Sequence, residues 1–405
     1  LMQAVMMVAG KSTRTYPLTL TRPKPLLPVA NRPLIYHSLD QMAGVFDEVI
    51  LIVGYRQEMI RALLGDEYRG IHLIYQEQKQ QLGTGHAILQ AKPHISGRFV
   101  ACNGDDLFAR EDFLKLLEHP YAALVKPVAD PSLYGVAVVD EQYRLIQMVE
   151  KPKTFLGNLA NIGCYIFEPD IFADLEKVEL SERGEIEIIG AIMATVQRST
   201  FSIVPITGFW LPTGFAWDLL KHQEFIMAGM SSSRIEGRIE AGAVLNGAVQ
   251  VGAGTVIRSG SYIEGPVAIG RNCDIGPNCY VRRFTAIGDN CRIGHAVEIK
   301  NSIIMPGGQI AHLSYVGDSV VGENCNLGAG TITANVRHDG RVVTSQVKGK
   351  KVESGRQKLG AILADGVHTG IHTSLYPGAK LWPKMTTLPG ETVRGDLLPE
   401  GSGWD

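Results

Sequence analysis

The chain has 405 residues, enough for two or three domains, and its 45% hydrophobic and 20% charged residues are typical of folded domains rather than disordered chains. A net charge of −2 argues against a nucleic-acid-coating or membrane-surface protein, because such proteins are usually clearly basic. No apolar run reaches the ~18 residues of a spanning helix, the first residues lack the basic start of a secretory signal, and six cysteines are too few for a disulfide scaffold, so we expect a protein of the reducing cytoplasm.

Residues 1–230 alternate short apolar strands with helical patterns. This alternation predicts an α/β domain with a mostly parallel, Rossmann-like sheet. Such sheets bind ligands beyond the carboxyl ends of their strands, so chemistry is expected directly after each strand. The predicted strands are Gln3–Val8, Glu48–Val53, Ile71–Tyr75 and Arg98–Cys102, and the predicted helices are Leu34–Met42, Gln57–Leu64 and Thr84–Leu89.

From Ile239 onward the pattern changes to one aliphatic residue at every sixth position, without a gap as far as Ile299. The residue four positions after each aliphatic is nearly always small. This is the hexapeptide repeat of a parallel β-helix, in which three repeats form one coil of about 18 residues and coils lie about 4.8 Å apart. The pattern slips after Ile299 and returns through Leu327 and Leu381, so we assign residues 235–405 to a β-helix domain.

A polar insertion interrupts the repeat between Thr333 and Lys358 and contains seven lysines or arginines against two acidic residues. Insertions in repeat proteins usually form loops on the binding face, and this one has the charge to meet an anion. Three cysteines of the same domain invite a metal-site interpretation. Because they fall on the small-residue position of the repeat, we interpret them instead as packing residues: Cys273, Cys279 and Cys291.

The segment AGKSTRTYPLTLTRPKPLLPV, residues 9–29, follows the first predicted strand. Its glycine turn can present backbone N–H groups to a phosphate, and Arg14 and Lys24 can add positive charge. Taken alone, this pattern is equally compatible with a solvated loop. A P-loop is excluded, because the glycine which that motif needs five residues before Gly10 is Val5. As a whole, the segment resembles the signature of sugar-1-phosphate nucleotidylyltransferases.

Further segments match that family in the same order: QLGTGHA (81–87), GDD (104–106), VEKP (149–152), ANIGCYIF (160–167) and RGEIEI (183–188). The resemblance implies that Arg14 and Lys24 are catalytic cations that hold a nucleoside triphosphate. It also implies that Asp105 carries Mg²⁺, a hard cation that prefers carboxylate and phosphate oxygens. The implied nucleotide contacts are Ala9, Gly10, Gln78, Gly83 and Thr84, and the implied sugar-phosphate contacts are Glu150, Lys151 and Asn161.

Two positions depart from the family pattern. Ser12 stands where the family has a second glycine, which leaves less room for a phosphate. Pro212 in FWLPTGFAWDLL stands where the family has an aspartate, and Asp218, six residues on, is not an obvious equivalent. We therefore expect Asp105 to hold Mg²⁺ with water and phosphates alone, and to hold it weakly.

The stretch 294–335 resembles the acetyltransferase half of the bacterial bifunctional enzymes that make UDP-N-acetylglucosamine, above all in AHLSYVGD and CNLGAGTITAN. The resemblance implies that His312 is the general base and that the backbone N–H of Ala329 meets the acetyl-CoA thioester. Arg341, in the basic insertion, is expected to bind coenzyme A. The insertion has Val336 and Arg341 where those enzymes tend to have tyrosine and lysine, and it is more similar to shorter archaeal relatives. The implied sugar-phosphate contacts are Arg282, Lys300, Tyr315, Asn326 and Asn335.

Residue spacing gives independent support for a phosphate clamp. Arg282 and Lys300 are 18 residues apart, which places them on neighbouring coils, where like charges repel unless an anion offsets them. A bound phosphate is the favoured anion, and Glu264, one coil away on the other side, is the alternative. For His312 the alternative is a surface histidine at a coil corner, but its nearness in sequence to Tyr315 and to a glycine-rich turn favours catalysis.

The sequence thus predicts an α/β nucleotidylyltransferase domain (1–230) and a left-handed β-helix acetyltransferase domain (235–405) in a homotrimer. We expect acetylation of glucosamine-1-phosphate by acetyl-CoA, then Mg²⁺-dependent coupling of the product to UTP. Galactosamine, glucose and dTTP remain open as substrates. One alternative is a glucose-1-phosphate thymidylyltransferase or uridylyltransferase whose β-helix only trimerises, and another is a non-catalytic sugar-nucleotide-binding regulator. Neither nucleic-acid nor membrane partners are expected.

Overall fold

The computed structural model describes residues 1–402, which form two compact units. The α/β unit contains Leu1–Lys11, Pro23–Leu26 and Leu34–Pro212, and the β-helix unit contains Ser12–Arg22, Leu27–Pro33 and the residues from Thr213 onward. The division predicted at residues 230–235 stays a prediction, and residues 403–405 of the predicted β-helix domain lie outside the described residues. No helix in the described chain is both long and apolar enough to cross a membrane.

The α/β unit is built on a ten-stranded sheet with a parallel centre, as predicted. Gln3–Met7 pairs in parallel with Glu48–Val53 on one side and Phe99–Asn103 on the other. These central strands are buried along nearly their whole length, which explains their continuous apolar sequences. The path across the sheet is Leu145–Glu150, Gly135–Val139, Leu159–Phe167, Phe99–Asn103, Gln3–Met7, Glu48–Val53, Ile71–Glu77 and Glu67–Tyr68.

Further strands and helices complete this unit. Ala122–Pro127 joins the sheet between Leu159–Phe167 and Ser202–Pro205, and Trp210–Leu211 forms a separate antiparallel pair with Leu107–Phe108. The predicted helices and strands are all present, with ends that differ by at most two residues. The helices are Leu34–Met42, Gln57–Leu64, Thr84–Gln90, Arg110–Leu116, Ile171–Leu175 and Ile188–Val196.

The β-helix unit has three parallel sheets of nine, seven and eight strands, one for each side of the coil. Val267 pairs with Thr285, 18 residues on, as the six-residue repeat predicts. The step shortens to 17 where Arg292 pairs with Gln309, which accounts for the slip after Ile299. Aliphatic side chains form a continuous interior that includes the four cysteines of this unit, so the prediction that three of them pack inside is confirmed.

The coil strands are short, and each sheet repeats at nearly constant spacing. The first sheet contains Arg234–Ile235, Val249–Val251, Val267–Ile269, Thr285–Ile287, Ile303–Ile304, Val320–Val321, Ile362–Leu363, Lys380–Leu381 and Asp396–Leu397. The second contains Arg238–Ile239, Val256–Ile257, Asp274–Ile275, Arg292–His295, Gln309–His312, Asn326–Leu327 and His368–Thr369. The third contains Val244–Asn246, Tyr262–Glu264, Tyr280–Val281, Glu298–Lys300, Tyr315–Gly317, Ile332–Thr333, Ser374–Leu375 and Thr392–Val393.

Three elements of the β-helix unit lie outside the coils. Asp218–Ala228 is a helix, and Pro28–Val29 pairs with Arg32–Pro33 in a short hairpin. The basic insertion folds into an antiparallel hairpin of Thr344–Val347 and Lys350–Glu353. The predicted fold class, an α/β domain and a β-helix, is confirmed.

Candidate functional site

Predicted nucleotide contacts follow the carboxyl ends of the parallel strands, at one edge of the α/β sheet. Ala9 and Gly10, Gln78, and Asp105 come after three different strands of this sheet. The Ala9 carbonyl accepts a hydrogen bond from Gln81 Nε2 at 2.5 Å, which fixes the loop after the first strand. No described atom lies within 4 Å of the place where a Cβ on Gly10 would stand, so a phosphate can approach the backbone there.

The predicted base-reading segment is held against RGEIEI by backbone contacts. Gly85 N–H donates to the Ile186 carbonyl at 2.9 Å, and a Cβ on Gly85 would lie only 2.7 Å from that oxygen, so glycine is required. Gly83 has φ +94° and precedes the helix that begins at Thr84. The buried Gln78 side chain donates to the Gly83 carbonyl at 3.4 Å. The structure therefore brings Gln78, Gly83 and Thr84 together.

The two aspartates of GDD have different surroundings. Asp106 is buried and accepts a hydrogen bond from Trp210 Nε1 at 3.1 Å. Asp105 keeps about a third of its side chain exposed, and its Oδ2 accepts a hydrogen bond from Lys24 Nζ at 2.6 Å. Mg²⁺ usually binds one or two carboxylates and completes its shell with water and phosphate oxygens. The donor atoms at Asp105 fit that requirement, and Lys24 lies at the same place.

Asp218 does not replace the aspartate that Pro212 displaces. Its Oδ2 accepts hydrogen bonds from the backbone N–H groups of Gly214 and Phe215, both at 2.8 Å. The carboxylate is therefore engaged in the turn at the start of the helix Asp218–Ala228. A proline side chain has no ligand atom, so the expectation of a missing second carboxylate ligand stands.

Predicted sugar-phosphate contacts meet around one glycine of the α/β unit. A Cβ on Gly135 would lie 3.1 Å from Glu150 Oε2 and 3.5 Å from Asn161 Cβ. Burial raises the pKa of Glu150, and the neighbouring Lys151 opposes the shift. Lys151 is exposed and has φ +44°, a left-handed conformation that costs about 1 kcal/mol for a residue with a β-carbon. The structure places all three residues side by side.

The loop that carries Arg14 belongs to the β-helix unit. Ser12 has φ 54° and ψ 55°, the left-handed conformation that glycine adopts most readily. Its carbonyl accepts hydrogen bonds from the hydroxyls of Thr15 at 2.7 Å and Thr19 at 2.8 Å, which stabilise the turn without a glycine. The exposed Arg14 guanidinium lies over the Phe215 ring, 5.6 Å from its centroid.

On the β-helix, Arg282 and Lys300 occupy neighbouring coils, as their spacing predicts. Each has a carboxylate partner: Arg282 Nη1 lies 2.9 Å from Glu298 Oε1, and Lys300 Nζ lies 2.8 Å from Asp318 Oδ2. The expectation that Glu264 offsets Arg282 is wrong, because Glu264 binds Arg283 at 3.2 Å. The two cations therefore need no phosphate to offset their repulsion.

Asp318 is a functional candidate that the sequence reading missed. It is buried, and its Oδ2 accepts hydrogen bonds from Lys300 Nζ at 2.8 Å and Asn335 Nδ2 at 2.6 Å. The same Asn335 amide donates to the Tyr315 hydroxyl at 3.1 Å. Asp318 thus joins three predicted sugar contacts. The count of 18 residues that leads from Arg282 to Lys300 leads on to Asp318, and this signal could have found it.

The Tyr315 hydroxyl is arranged to donate a hydrogen bond. Burial raises the pKa of Tyr315, and the Asp318 carboxylate raises it further, so the hydroxyl keeps its proton. Because Asn335 already donates to this oxygen, the phenolic proton can point to a ligand acceptor. A Cβ on Gly317 would lie 2.3 Å from the Tyr315 oxygen, so glycine at 317 is needed for the tyrosine to take this position.

His312 lies at a coil corner with an exposed side chain. The N–H of Gly330 donates to the His312 carbonyl at 3.4 Å, which places Ala329 at the corner of the next coil. Asn326 also lies on that coil, in register with Gln309. Within the described residues of one chain, no hydrogen bond joins His312 to the cluster around Asp318.

A cavity of about 710 Å³ lies beside the inserted hairpin. Its lining includes three cations, Arg337, Lys351 and Arg394, and the Tyr376 ring, over which the Arg394 guanidinium lies at 4.5 Å. Arg341 itself is exposed in the adjoining loop, where its N–H donates to an aspartate that pairs with Arg337. The insertion therefore forms part of a basic cavity.

Comparisons with known proteins cover both units. The nucleotidyl transferase family model matches residues 3–229, and the GMPPB C-terminal domain model matches residues 263–370. The bifunctional protein GlmU of Methanocaldococcus jannaschii is 40% identical over 380 residues, which are 94% of this chain and 92% of that protein. The bifunctional sugar-1-phosphate nucleotidylyltransferase/acetyltransferase of Sulfurisphaera tokodaii is 36% identical over 402 residues, 98% of each chain.

Solved structures match the first part of the chain. The structure of UDP-glucose pyrophosphorylase complexed with UDP-glucose aligns with a TM-score of 0.50 and 25% identity, over 55% of this chain and 96% of that one. This likeness agrees with the match of the nucleotidyl transferase model to residues 3–229.

Proposed function

The chain belongs to the family of bifunctional sugar-1-phosphate nucleotidylyltransferase/acetyltransferases, and we propose that it makes UDP-N-acetylglucosamine from glucosamine-1-phosphate. The β-helix unit acetylates the amine with acetyl-CoA, and the α/β unit then couples the product to UTP. The observation that carries the proposal is that one chain, similar to bifunctional relatives over nearly its full length, contains both predicted sites. A β-helix that only trimerises, or a non-catalytic regulator, is less well supported by these relatives.

In nucleotidyl transfer, a phosphate oxygen of the sugar phosphate attacks the α-phosphorus of UTP. A new P–O bond forms, the bond to the β-phosphate oxygen breaks, and pyrophosphate leaves. Both reactants are anions, so positioning and positive charge do most of the catalysis. Lys24 and Arg14 hold the triphosphate, and Lys151 holds the sugar phosphate. Mg²⁺ at Asp105 supplies further charge neutralisation when it is bound.

In acetyl transfer, the sugar amine attacks the thioester carbonyl of acetyl-CoA. A C–N bond forms, the C–S bond breaks, and coenzyme A leaves as the thiol. His312 accepts the proton that the amine loses, because a neutral imidazole is a suitable general base. Arg282 and Lys300 bind the sugar phosphate as a pair with a mixed carboxylate background, and the Tyr315 hydroxyl donates to the sugar.

The basic cavity beside the hairpin supports the assignment of acetyl-CoA as co-substrate. Tyr376 and Arg394 directly follow strands of the third sheet, on the side of that sheet where Arg282 and Lys300 lie. Cations beside an aromatic ring suit a phosphorylated nucleotide, since charge pairing and stacking act together. The phosphates of coenzyme A are expected to bind in this cavity, near Arg341.

A homotrimer explains how His312 can reach a sugar held by another part of the β-helix. His312 makes no hydrogen bond to the Asp318 cluster within the described chain, so a second copy is proposed to complete the site. The third sheet offers a surface for it, because several of its outward-facing residues are large, apolar and exposed: Val244, Tyr262, Tyr280 and Ile332. Sedimentation analysis of the purified chain tests this assembly.

We expect Pro212→Asp to raise nucleotidyl transfer at low Mg²⁺, because it restores a second carboxylate near Asp105. Initial rates across a Mg²⁺ titration should give a lower half-saturating concentration than in the parent. Pro212→Asn, which has the same size without the charge, is the control and should not shift the titration. An unchanged titration in the aspartate variant, with tight Mg²⁺ binding in the parent, would mean that another group fills the second position.

A substrate panel tests the proposed function as a whole. Glucosamine-, galactosamine-, glucose- and N-acetylglucosamine-1-phosphate are combined with UTP or dTTP and with acetyl-CoA, and pyrophosphate and free thiol are both measured. Thiol release should be greatest with glucosamine-1-phosphate, and pyrophosphate release greatest with N-acetylglucosamine-1-phosphate and UTP. Pyrophosphate release from glucose-1-phosphate and dTTP, with no thiol release from any sugar, would support the trimerising alternative instead.

A further inference from the structure

The basic segment before Lys24 is anchored in the β-helix unit by a buried ion-pair cluster. Arg22 has a side chain only 9% exposed, and it binds two acidic residues. Its Nη1 lies 2.9 Å from Glu323 Oε1, and its Nη2 lies 2.5 Å from Asp365 Oδ2. The neighbouring Thr21 hydroxyl donates to the same Asp365 oxygen at 2.8 Å. Two consecutive residues of the loop are therefore held by one carboxylate.

The two carboxylates are themselves fixed by the coils. The N–H of Glu323 donates to Asp365 Oδ1 at 2.7 Å, and the N–H of Gly366 donates to the Glu323 carbonyl at 2.8 Å. Val321 and Leu363, two residues before each acid, pair in the first sheet. Glu323 and Asp365 thus form a rigid receptor, called here the acidic clamp, and Arg22 enters it as a pre-organised guanidinium fork.

A second anchor holds the chain a few residues after Lys24. Asn31 Nδ2 donates to the coil carbonyls of Ile287 at 2.8 Å and Ala268 at 3.3 Å. Gln223, which is fully buried, accepts a hydrogen bond from the Ala30 N–H at 3.0 Å and donates to the Ser302 carbonyl at 2.9 Å. Coil residues therefore fix the chain on both sides of the short segment Pro23–Leu26.

Lys24, between these anchors, is the residue whose ammonium group lies 2.6 Å from Asp105. Its backbone has little freedom, because Arg22 is two residues before it and the Ala30–Asn31 anchor is six residues after it. An error of about 1 Å in a charged group at a reacting centre can cost about 100-fold in rate. The anchors thus limit how far Lys24 can drift from the triphosphate.

We infer that Arg22 is a positioning residue for nucleotidyl transfer, which it serves through the acidic clamp by fixing the segment that carries Lys24. The inference rests on the proposed nucleotidyl transfer and adds a dependence of that reaction on the β-helix coils. A purely structural ion pair would affect thermal stability and both activities together. A positioning role affects one activity, and it does so in a folded enzyme.

The test uses the full-length chain with Asp365→Asn and, separately, Glu323→Gln. These changes keep side-chain size and remove one charge each from the acidic clamp. For Asp365→Asn we expect kcat/KM for UTP to fall about 10- to 100-fold, while thiol release in acetyl transfer and the thermal midpoint stay at parent values. Arg22→Lys, which keeps the charge but loses the fork, should recover only part of the activity that Arg22→Ala loses.

Asp274→Asn is the matched control, because it removes the Arg258–Asp274 ion pair of 2.5 Å elsewhere on the same β-helix. It should change neither activity. If Asp365→Asn keeps the parent value of kcat/KM for UTP, or if both activities fall together with the thermal midpoint, the positioning role is wrong. If the parent releases no pyrophosphate with any sugar phosphate and nucleotide, the proposed function itself fails and the inference falls with it.

Discussion

Replacement of His312 by alanine is expected to reduce acetyl transfer by about 10²- to 10⁴-fold and to spare uridylyl transfer to N-acetylglucosamine-1-phosphate. The imidazole lies on a coil corner whose strands pair on both sides, so it is held on a rigid scaffold. Ala329 lies at the corner of the next coil, where its N–H can meet a thioester beside the base. Removing the imidazole leaves the ammonium form of the substrate without a proton acceptor at that point.

Thiol release from acetyl-CoA at neutral pH measures the first activity, and pyrophosphate release from pre-acetylated substrate measures the second. His295→Ala is the matched control, because His295 is exposed and pairs with His312 from the preceding coil. It should leave both rates near those of the parent. A His312→Ala enzyme that keeps more than about a tenth of the acetyl-transfer rate would return the β-helix to a trimerising role.

Asp105→Asn is expected to abolish Mg²⁺-dependent pyrophosphate release and to leave acetyl transfer intact. The amide keeps an oxygen that can accept the hydrogen bond from Lys24, so the local shape is conserved. It loses the negative charge that attracts a hard cation, and no second carboxylate stands at Pro212 to compensate. The loss should therefore be at least about 100-fold and should not be rescued by modest increases in Mg²⁺.

Pyrophosphate release measured over a Mg²⁺ titration gives the effect, and thiol release from the same preparation shows that the protein is folded. Asp130→Asn removes another aspartate of the α/β unit, whose carboxylate accepts only local bonds from Ser132, and it should leave both rates unchanged. Uridylyl activity in Asp105→Asn equal to that of the parent would refute the metal role of Asp105.

Periodic features of this chain could be predicted from its sequence because one residue type repeats at one spacing. The aliphatic residues from Ile239 to Ile299 predict the coils, and Arg282 and Lys300 occupy neighbouring coils as their count requires. The charge partners of these two could not be predicted in the same way. Glu298 reaches Arg282 diagonally across two strands, and such a choice depends on side-chain rotamers rather than on period.

Contacts between distant segments were the other limit. Arg22 and Asp365 are 343 residues apart, and nothing in either local sequence indicates that they meet. The same holds for Asn31 and the carbonyl of Ile287. At Ser12 the sequence indicated a crowded loop, whereas the structure gives a left-handed residue held by two threonine hydroxyls. Side-chain hydrogen bonds there replace the conformational freedom of a glycine.

The central claim is that one chain carries out both reactions on one amino sugar. The most direct measurement mixes the purified full-length chain with glucosamine-1-phosphate, UTP, Mg²⁺ and acetyl-CoA and follows thiol, pyrophosphate and sugar nucleotide in the same reaction. We predict that UDP-N-acetylglucosamine forms, that thiol release precedes pyrophosphate release, and that omission of acetyl-CoA suppresses both. Formation of a sugar nucleotide at an equal rate without acetyl-CoA, with no thiol released when it is present, would contradict the account.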